Sequence, residues 1–124
     1  MNTGSIPKKF DLDDRLIDFA VLILEIGDAL PKSYAGKHLS EQIIGSGTSP
    51  ALNYGEAQSA EPQRDLIHKI KIVLQELRET LACLKIIHRS LLFTKHARHL
   101  EALKENNELV AIFVTSVKTA RSKK

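Results

Sequence analysis

Hydroxyl groups in a run of small residues are the first candidates for chemistry, because Ser46, Thr48 and Ser49 stand close to glycines. A hydroxyl becomes a nucleophile when a base lies beside it, and no base is identifiable near these three. The stretch has neither the preceding strand of a Gly-x-Ser-x-Gly elbow nor the lysine of a phosphate-binding loop. We therefore predict no catalytic residue, and we expect small-residue packing with hydroxyls bonded to nearby carbonyls.

Histidine and carboxylate pairs are the second possibility, since a helix can present them together to a metal ion. Asp65 and His68 lie three residues apart, as do His96 and His99. A di-metal bundle needs two Glu-x-x-His motifs plus two inward glutamates, and the sequence has no Glu-x-x-His. Cys-x-x-Cys and His-Glu-x-x-His patterns are also missing. We predict no metal and no cofactor, with His96 and His99 exposed at the start of the last helix.

A polar network is predicted next to the small residues. Ser49, Asn53 and Glu56 lie four and three residues apart and so share one helix face. Lys69, Glu76 and Arg78 are their expected neighbours on the following helix. Because buried polar groups need partners, we expect this network to fix helix register rather than to react.

Basic residues dominate positions 64–99, which contain eight lysines or arginines against three acids, besides four histidines. A basic face there predicts weak, sequence-independent binding of RNA or DNA phosphates, without interleaved aromatic residues for base stacking. The predicted contacts are Lys69, Lys71, Arg78, Lys85, Arg89 and the C-terminal tail. An ordinary solvated surface remains open, as does an acidic face that meets this basic face between subunits.

The elements that position these residues are predicted to be helices. We expect a flexible leader at 1–10, a four-helix bundle at 11–120 and a basic tail at 121–124. The helices should cover about 12–30, 37–60 and 62–91, followed by a fourth that Thr94 caps and that reaches about residue 120. Short connections predict an all-α, up-down-up-down antiparallel bundle.

Aliphatic residues at helical spacing define the predicted core. The stripe of the second helix contains Ile43, Pro50 and Tyr54, with a kink expected at Pro50, although a plain loop between two short helices remains the alternative. The other stripes are Leu16, Phe19, Ile23, Ile26 and Leu30, then Ile70, Val73, Leu77, Leu81, Leu84 and Leu91, and finally Leu100, Leu103, Asn107, Val110, Val114 and Val117. Leu92 and Phe93 are expected to close the end of the core.

Length and cysteine usage agree with a single cytoplasmic domain. The 124 residues suffice to bury a core, and Cys83 stands alone, so a disulfide framework is excluded and a reducing compartment is favoured. No window approaches 18 uncharged apolar residues, and we predict no membrane contact.

The spaced motifs of the middle of the chain resemble a known family. They are Ser46 to Ser49, Asn53 to Ala57, Asp65 to Lys69 and Arg78 to Thr80. The resemblance is to the four-helix-bundle family of proteins encoded by intervening sequences in bacterial 23S rRNA genes and of accessory variability proteins of diversity-generating retroelements. It covers about two-thirds of the chain and implies the bundle fold and a homopentameric ring.

The same resemblance implies an RNA-binding role only in part. Basic surface of the retroelement accessory proteins is associated with binding of RNA and a reverse transcriptase. Related sequences carry arginines where this chain has Gly45 and Gly55, and a lysine where it has Gln75. The chain therefore lacks part of the basic surface on which that role depends.

A surface for self-association is predicted on the first helix. With about 100° per residue, Ile17, Val21 and Leu24 lie on a flank that a monomeric bundle would leave largely wet. We expect these three residues to form a subunit interface, whereas coverage by the leader or a loop is the alternative. The predicted function is a non-enzymatic binding or assembly module that forms a homo-oligomer. The alternatives are a nucleic-acid-binding accessory protein and, third, an enzyme.

Overall fold

Four α-helices make up the fold. The computed structural model describes residues 12–58, 63–93 and 95–122. They contain α1 (Leu12–Asp28), α2 (Tyr34–Gln58), α3 (Gln63–Arg89) and α4 (His96–Ser122), and the described residues include no strand. The predicted leader, Thr94 and the last two residues of the tail lie outside this range. The all-α prediction is confirmed, and α4 continues into the first two residues of the predicted tail.

The helices follow one another around the bundle in chain order. Each helix packs against the next one, and α1 also contacts α4, which closes the four-helix bundle. Contacts between neighbours run in opposite directions: Gly27 faces Ile44, whereas Ile23, one turn earlier, faces Gly47. This antiparallel order is the predicted up-down-up-down arrangement.

The second helix, α2, begins at Tyr34, three residues before its predicted start. Ser33 caps α2, because the amide of Gly36 donates to Ser33 Oγ over 3.1 Å. The amide of Lys37 donates to the Ser33 carbonyl over 2.9 Å, which completes the first turn. At the other side of the turn α1 ends at Asp28, two residues before its predicted end, although Leu30 remains buried.

The end of α3 corrects the prediction that Leu91 belongs to the core. Leu91 adopts a positive φ of 59° and is 73% exposed. The amide of Leu92 donates to the Ile87 carbonyl over 3.3 Å and that of Leu91 donates to the His88 carbonyl over 3.2 Å, which is the Schellman pattern of helix termination. The reversal turns Leu91 into solvent and returns Phe93 to the core, as expected for Phe93.

The buried residues of α1 include the predicted ones, whereas most buried residues of α4 lie one position before the predicted ones. All five predicted α1 residues are buried, as are Ile43 and Pro50 of α2. In α4, Val117 is buried and Leu103 and Val110 pack against the core as predicted. Leu100 and Asn107 are exposed, contrary to the prediction, because two polar residues, His99 and Asn106, occupy the buried positions beside them. The buried face of α4 consists of His99, Ala102, Asn106, Leu109, Phe113 and Val117.

Helix α2 runs without interruption through the small-residue stretch and through Pro50, so the alternative of a loop is wrong. A Cβ atom added at Gly47 would lie 2.5 Å from Ile23 Cγ2 of α1. One added at Gly27 would lie 2.6 Å from Ile44 Cγ1 of α2. Since real contacts of a Cβ are longer, the two glycines allow α1 and α2 to approach closely, as the small residues predicted.

Candidate interaction surfaces

Two contacts of the predicted polar network are present, one within α2 and one between α2 and α3. Asn53 Nδ2 donates to Ser49 Oγ over 2.8 Å and to the Ser49 carbonyl over 3.1 Å, so this contact stays within α2. Glu56 forms an ion pair with Lys69 of α3, one of its expected neighbours. Arg78 is exposed and lines a groove between α3 and α4, away from these residues.

The buried polar contact between α2 and α3 is a different pair, Ser46 and Thr80. Their hydroxyl oxygens are 2.9 Å apart, and Thr80 is fully buried. Thr80 Oγ1 also lies 2.9 Å from the carbonyl of Glu76 one turn earlier. Both residues belong to the spaced motifs of the sequence, but their pairing was not predicted, because two hydroxyls on different helices carry no spacing signal.

A second buried polar residue, Asn106, fixes α4 against α3. With its amide nitrogen towards the Leu77 carbonyl, Asn106 donates over 3.0 Å, and its oxygen accepts from the Leu81 amide over 3.1 Å. A polar side chain with satisfied partners at a core position specifies which turns of the two helices face each other. Its sequence neighbour Asn107, predicted for the core, is exposed.

Two arginines join α1 to α4 across an open groove. Arg15 binds Glu105 through Nε and Nη2 at 2.9 and 2.8 Å, and Arg98 binds Glu25 through Nε and Nη2 at 2.9 and 2.6 Å. The hydrogen bonds from Arg98 lower the pKa of Glu25. The groove between the two pairs measures ≈ 360 Å³. Most carboxylates that line this groove form ion pairs with Arg15 or Arg98. We therefore interpret the groove as a contact between α1 and α4 and not as a ligand site.

The predicted subunit-interface residues form an exposed apolar strip on α1. Ile17 is 51% exposed, Val21 57% and Leu24 42%, and none of them is covered within the described part of the chain. The acids that surround this apolar strip are exposed as well and form no ion pair among the described residues: Asp13, Asp14, Asp18 and Asp28. The strip therefore combines exposed aliphatic surface with a negative rim.

Four of the five predicted nucleic-acid contacts form a basic strip along α3. With about 100° per residue, they fall within about 40° of one another on the solvent side. These exposed residues of the basic strip are Lys71, Arg78, Lys85 and Arg89. Lys69 lies on the α2 side of the helix, where it pairs with Glu56, so it does not belong to the strip.

Helix α4 adds to this positive surface. Lys71, Arg78 and Arg121 line a groove of ≈ 540 Å³ between α3 and the end of α4. Glu79 is the acid at its edge. Within the described residues no cation of the basic strip forms an ion pair, so its charge is available to an outside partner.

The titratable residues with metal or nucleophile potential are dispersed or buried. His99 is 1% exposed, which corrects its predicted exposure, and its ring stacks on His88 at 5.0 Å between centroids. The described residues contain no group of three or more histidine, cysteine or acidic side chains able to hold a metal ion. Burial, followed by the nearby charge of Glu79, raises the pKa of the Cys83 thiol, which keeps that thiol protonated.

Comparison with known proteins shows a family and a solved structure to which this chain is similar. The family model described as 23S rRNA-intervening sequence protein matches residues 8–115. A similar solved structure is that of a protein with unknown function from the S23 ribosomal protein family of Bacteroides thetaiotaomicron VPI-5482. It shares 28% identity and a TM-score of 0.78, over 86% of this chain and 97% of that one. No curated protein matches, and no helix in the described residues is long and apolar enough to cross a membrane.

Proposed function

Since this chain belongs to the 23S rRNA-intervening sequence protein family, we propose that it is a non-enzymatic binding or assembly module that forms a homo-oligomeric ring. The family resemblance implies five subunits, and we adopt that number. The lone Cys83 supports a reducing compartment, and we propose the cytoplasm. We propose no catalytic role for any residue.

The exposed apolar strip on α1 is the observation that carries this proposal. Ile17, Val21 and Leu24 are each more than two-fifths exposed, although the opposite face of the same helix is packed in the core. Burial of three such side chains against another subunit contributes about 1.5 to 3 kcal/mol each before the costs of association. A contiguous aliphatic strip of this kind is typical of a protein interface.

The direct test is the mass of the protein in solution. Light scattering after size-exclusion chromatography should give a multiple of the 13.8 kDa chain for the wild type. The double variant Ile17→Glu with Val21→Lys should give a smaller species with unchanged helical content in circular dichroism, because both substitutions place charge at a buried contact.

A matched control introduces the same two charges elsewhere. Gln42 and Thr115 are exposed polar residues on α2 and α4, so Gln42→Glu with Thr115→Lys should keep the wild-type mass. A wild-type mass of one chain would contradict the ring, and an oligomer that survives Ile17→Glu with Val21→Lys would place the interface elsewhere.

The basic strip on α3 favours a second candidate function, that of a nucleic-acid-binding accessory protein. Lys71, Arg78 and Lys85 repeat every seven residues, which places them about 10 Å apart along the helix, and Arg89 extends the same row. A row of unpaired cations attracts phosphates without reading base sequence. We therefore propose weak binding of RNA or DNA that depends on electrostatics.

Titration of duplex DNA and of RNA at two salt concentrations tests this function. Each phosphate neutralised should contribute about −0.9 to the slope of log affinity against log salt on duplex DNA. Arg78→Gln and Lys85→Gln should each reduce that slope, whereas Lys69→Gln is the matched control, since Lys69 lies outside the basic strip. Absence of binding at about 50 mM salt and tens of micromolar protein would remove this function.

A further inference from the structure

We propose that the ring is held head to tail, with the acidic apolar strip of α1 in one subunit docked on the basic strip of α3 in the next copy of the chain. This inference rests on the proposed oligomeric function and names the surface that receives the apolar strip. It also implies that the same basic strip cannot hold a nucleic acid and a neighbouring subunit at once.

Charge complementarity is the first argument. Helix α1 carries five acids and one arginine, and that arginine is engaged with Glu105 and Glu108 of α4. Helix α3 carries six basic residues and three acids. Across a contact of α1 with α1, the acidic rims would face each other and repel, which disfavours a two-fold interface through the apolar strip.

The two strips also agree in length and character. Asp14 and Asp28 are fourteen residues apart on α1, as are Lys71 and Lys85 on α3, so both rows of charge span about 21 Å. Val21 stands midway in the first row and Arg78 midway in the second. Apolar groups accompany the cations, because Leu74 and Ala82 line the same groove as Arg78 and Ile86 is 52% exposed nearby on α3.

The position of the strips in the bundle suits a ring. Helix α1 contacts α2 and α4 but not α3 within the described residues, so α1 and α3 lie diagonally opposite. A subunit with complementary faces on opposite sides forms heterologous contacts, and such contacts close into a ring when the rotation between copies allows it. The fold thus separates the two halves of the interface as a head-to-tail assembly requires.

Charge reversal with rescue tests the inference. The acid-reversed variant is Asp18→Lys with Asp28→Lys, and the base-reversed variant is Arg78→Glu with Lys85→Glu; all four residues are exposed. Each variant alone should shift to smaller species and need about tenfold or more protein for assembly, because like charges then face each other. A chain with all four substitutions should assemble again to the wild-type mass. An equimolar mixture of the two variants should form mixed species that neither variant forms alone, but no closed ring of five, because an odd-numbered ring cannot alternate the two variants.

Controls separate this inference from the proposed function. Lys95→Glu with Lys118→Glu makes the same change in charge at exposed lysines that belong to neither strip and line neither groove, and it should keep the wild-type mass. Should the base-reversed variant lose its helical circular dichroism signal, Arg78→Gln with Lys85→Gln replaces it and should still weaken assembly. A wild-type monomer would overturn the proposed ring and the inference together.

Two outcomes would overturn the inference alone. An oligomeric wild type whose base-reversed variant keeps its mass would show that the α3 strip is not the receiving surface. If that variant also lost RNA binding, the strip would be a nucleic-acid surface instead. Failure of the fourfold variant to reassemble, with its fold intact, would exclude direct pairing of the two strips.

Discussion

Substitution of Gly47 by alanine should destabilise the bundle, although the same change usually stabilises a helix. Replacement of a helical glycine by alanine gains about 1 kcal/mol through backbone entropy. At Gly47 the new Cβ would lie 2.5, 2.9 and 3.0 Å from Ile23 Cγ2, Cβ and Cγ1. Ile23 is fully buried and β-branched, so it cannot rotate away and α1 itself must move.

The expected magnitude follows from these opposing terms. Insertion of a methyl group into a packed core costs about 1–3 kcal/mol, so the net loss should be up to about 2 kcal/mol after the gain in helix propensity. For a domain of this size that loss lowers the Tm by about 4 °C per kcal/mol. Gly27→Ala should cost less, because its two shortest contacts, at 2.6 and 2.8 Å, are with Ile44 Cγ1 and Cδ1, and Ile44 is only half-buried and has room to shift.

Gly45 and Gly55 are matched controls on the same helix as Gly47. A Cβ at either position meets nothing within 4 Å, so alanine there should raise stability by about 1 kcal/mol. Urea unfolding followed by circular dichroism, at one protein concentration for all variants, measures the series. If Gly47→Ala were as stable as Gly45→Ala, close approach of α1 and α2 would not constrain the fold, and the reasoning would fail.

Three other predictions concern buried hydroxyls, backbone strain and pH. Thr80→Val should cost about 1–2 kcal/mol in urea unfolding because it removes the partner of buried Ser46 Oγ, and addition of Ser46→Ala should recover part of the loss; additive losses would contradict the pairing. Leu91→Gly should stabilise the protein by about 1 kcal/mol, since glycine adopts positive φ without strain, and a lower Tm would show that Leu91 makes a contact outside the described chain. Glu25→Gln should reduce stability at pH 7 and Glu76→Gln should increase it, because Arg98 lowers the pKa of Glu25 whereas burial raises that of Glu76. As the pH falls, the Glu76 difference from wild type should fade between the raised pKa of Glu76 and pH 4.5, the ordinary value of both carboxyls, whereas the Glu25 difference should fade only below pH 4.5, towards the lowered pKa of Glu25. Differences of the same sign at neutral pH would refute the assignment.

The sequence by itself determined the helical fold and most of its core. Periodic aliphatic residues with proline and glycine between them specify four helices, because each helix must bury one apolar stripe. The five stripe residues of α1 are buried as predicted, and the small residues of α2 allow the close approach that they indicated. The exposed apolar strip of α1 was also predictable, since rotation by 100° per residue separates it from the core stripe.

Only the tertiary structure decided how polar residues are distributed between core and surface. Asn106 and His99 are buried and Asn107 is exposed, since partners on α3 rather than hydropathy determine which face of α4 turns inward. The pairing of Ser46 with Thr80 depends on the register between two helices, which no local pattern encodes. Lys69 was predicted to act with the other α3 cations, yet it lies on the α2 side of α3, outside the basic strip, and forms an ion pair with Glu56 of α2. In each case the partner comes from a different helix, and its position is defined only when the helices pack.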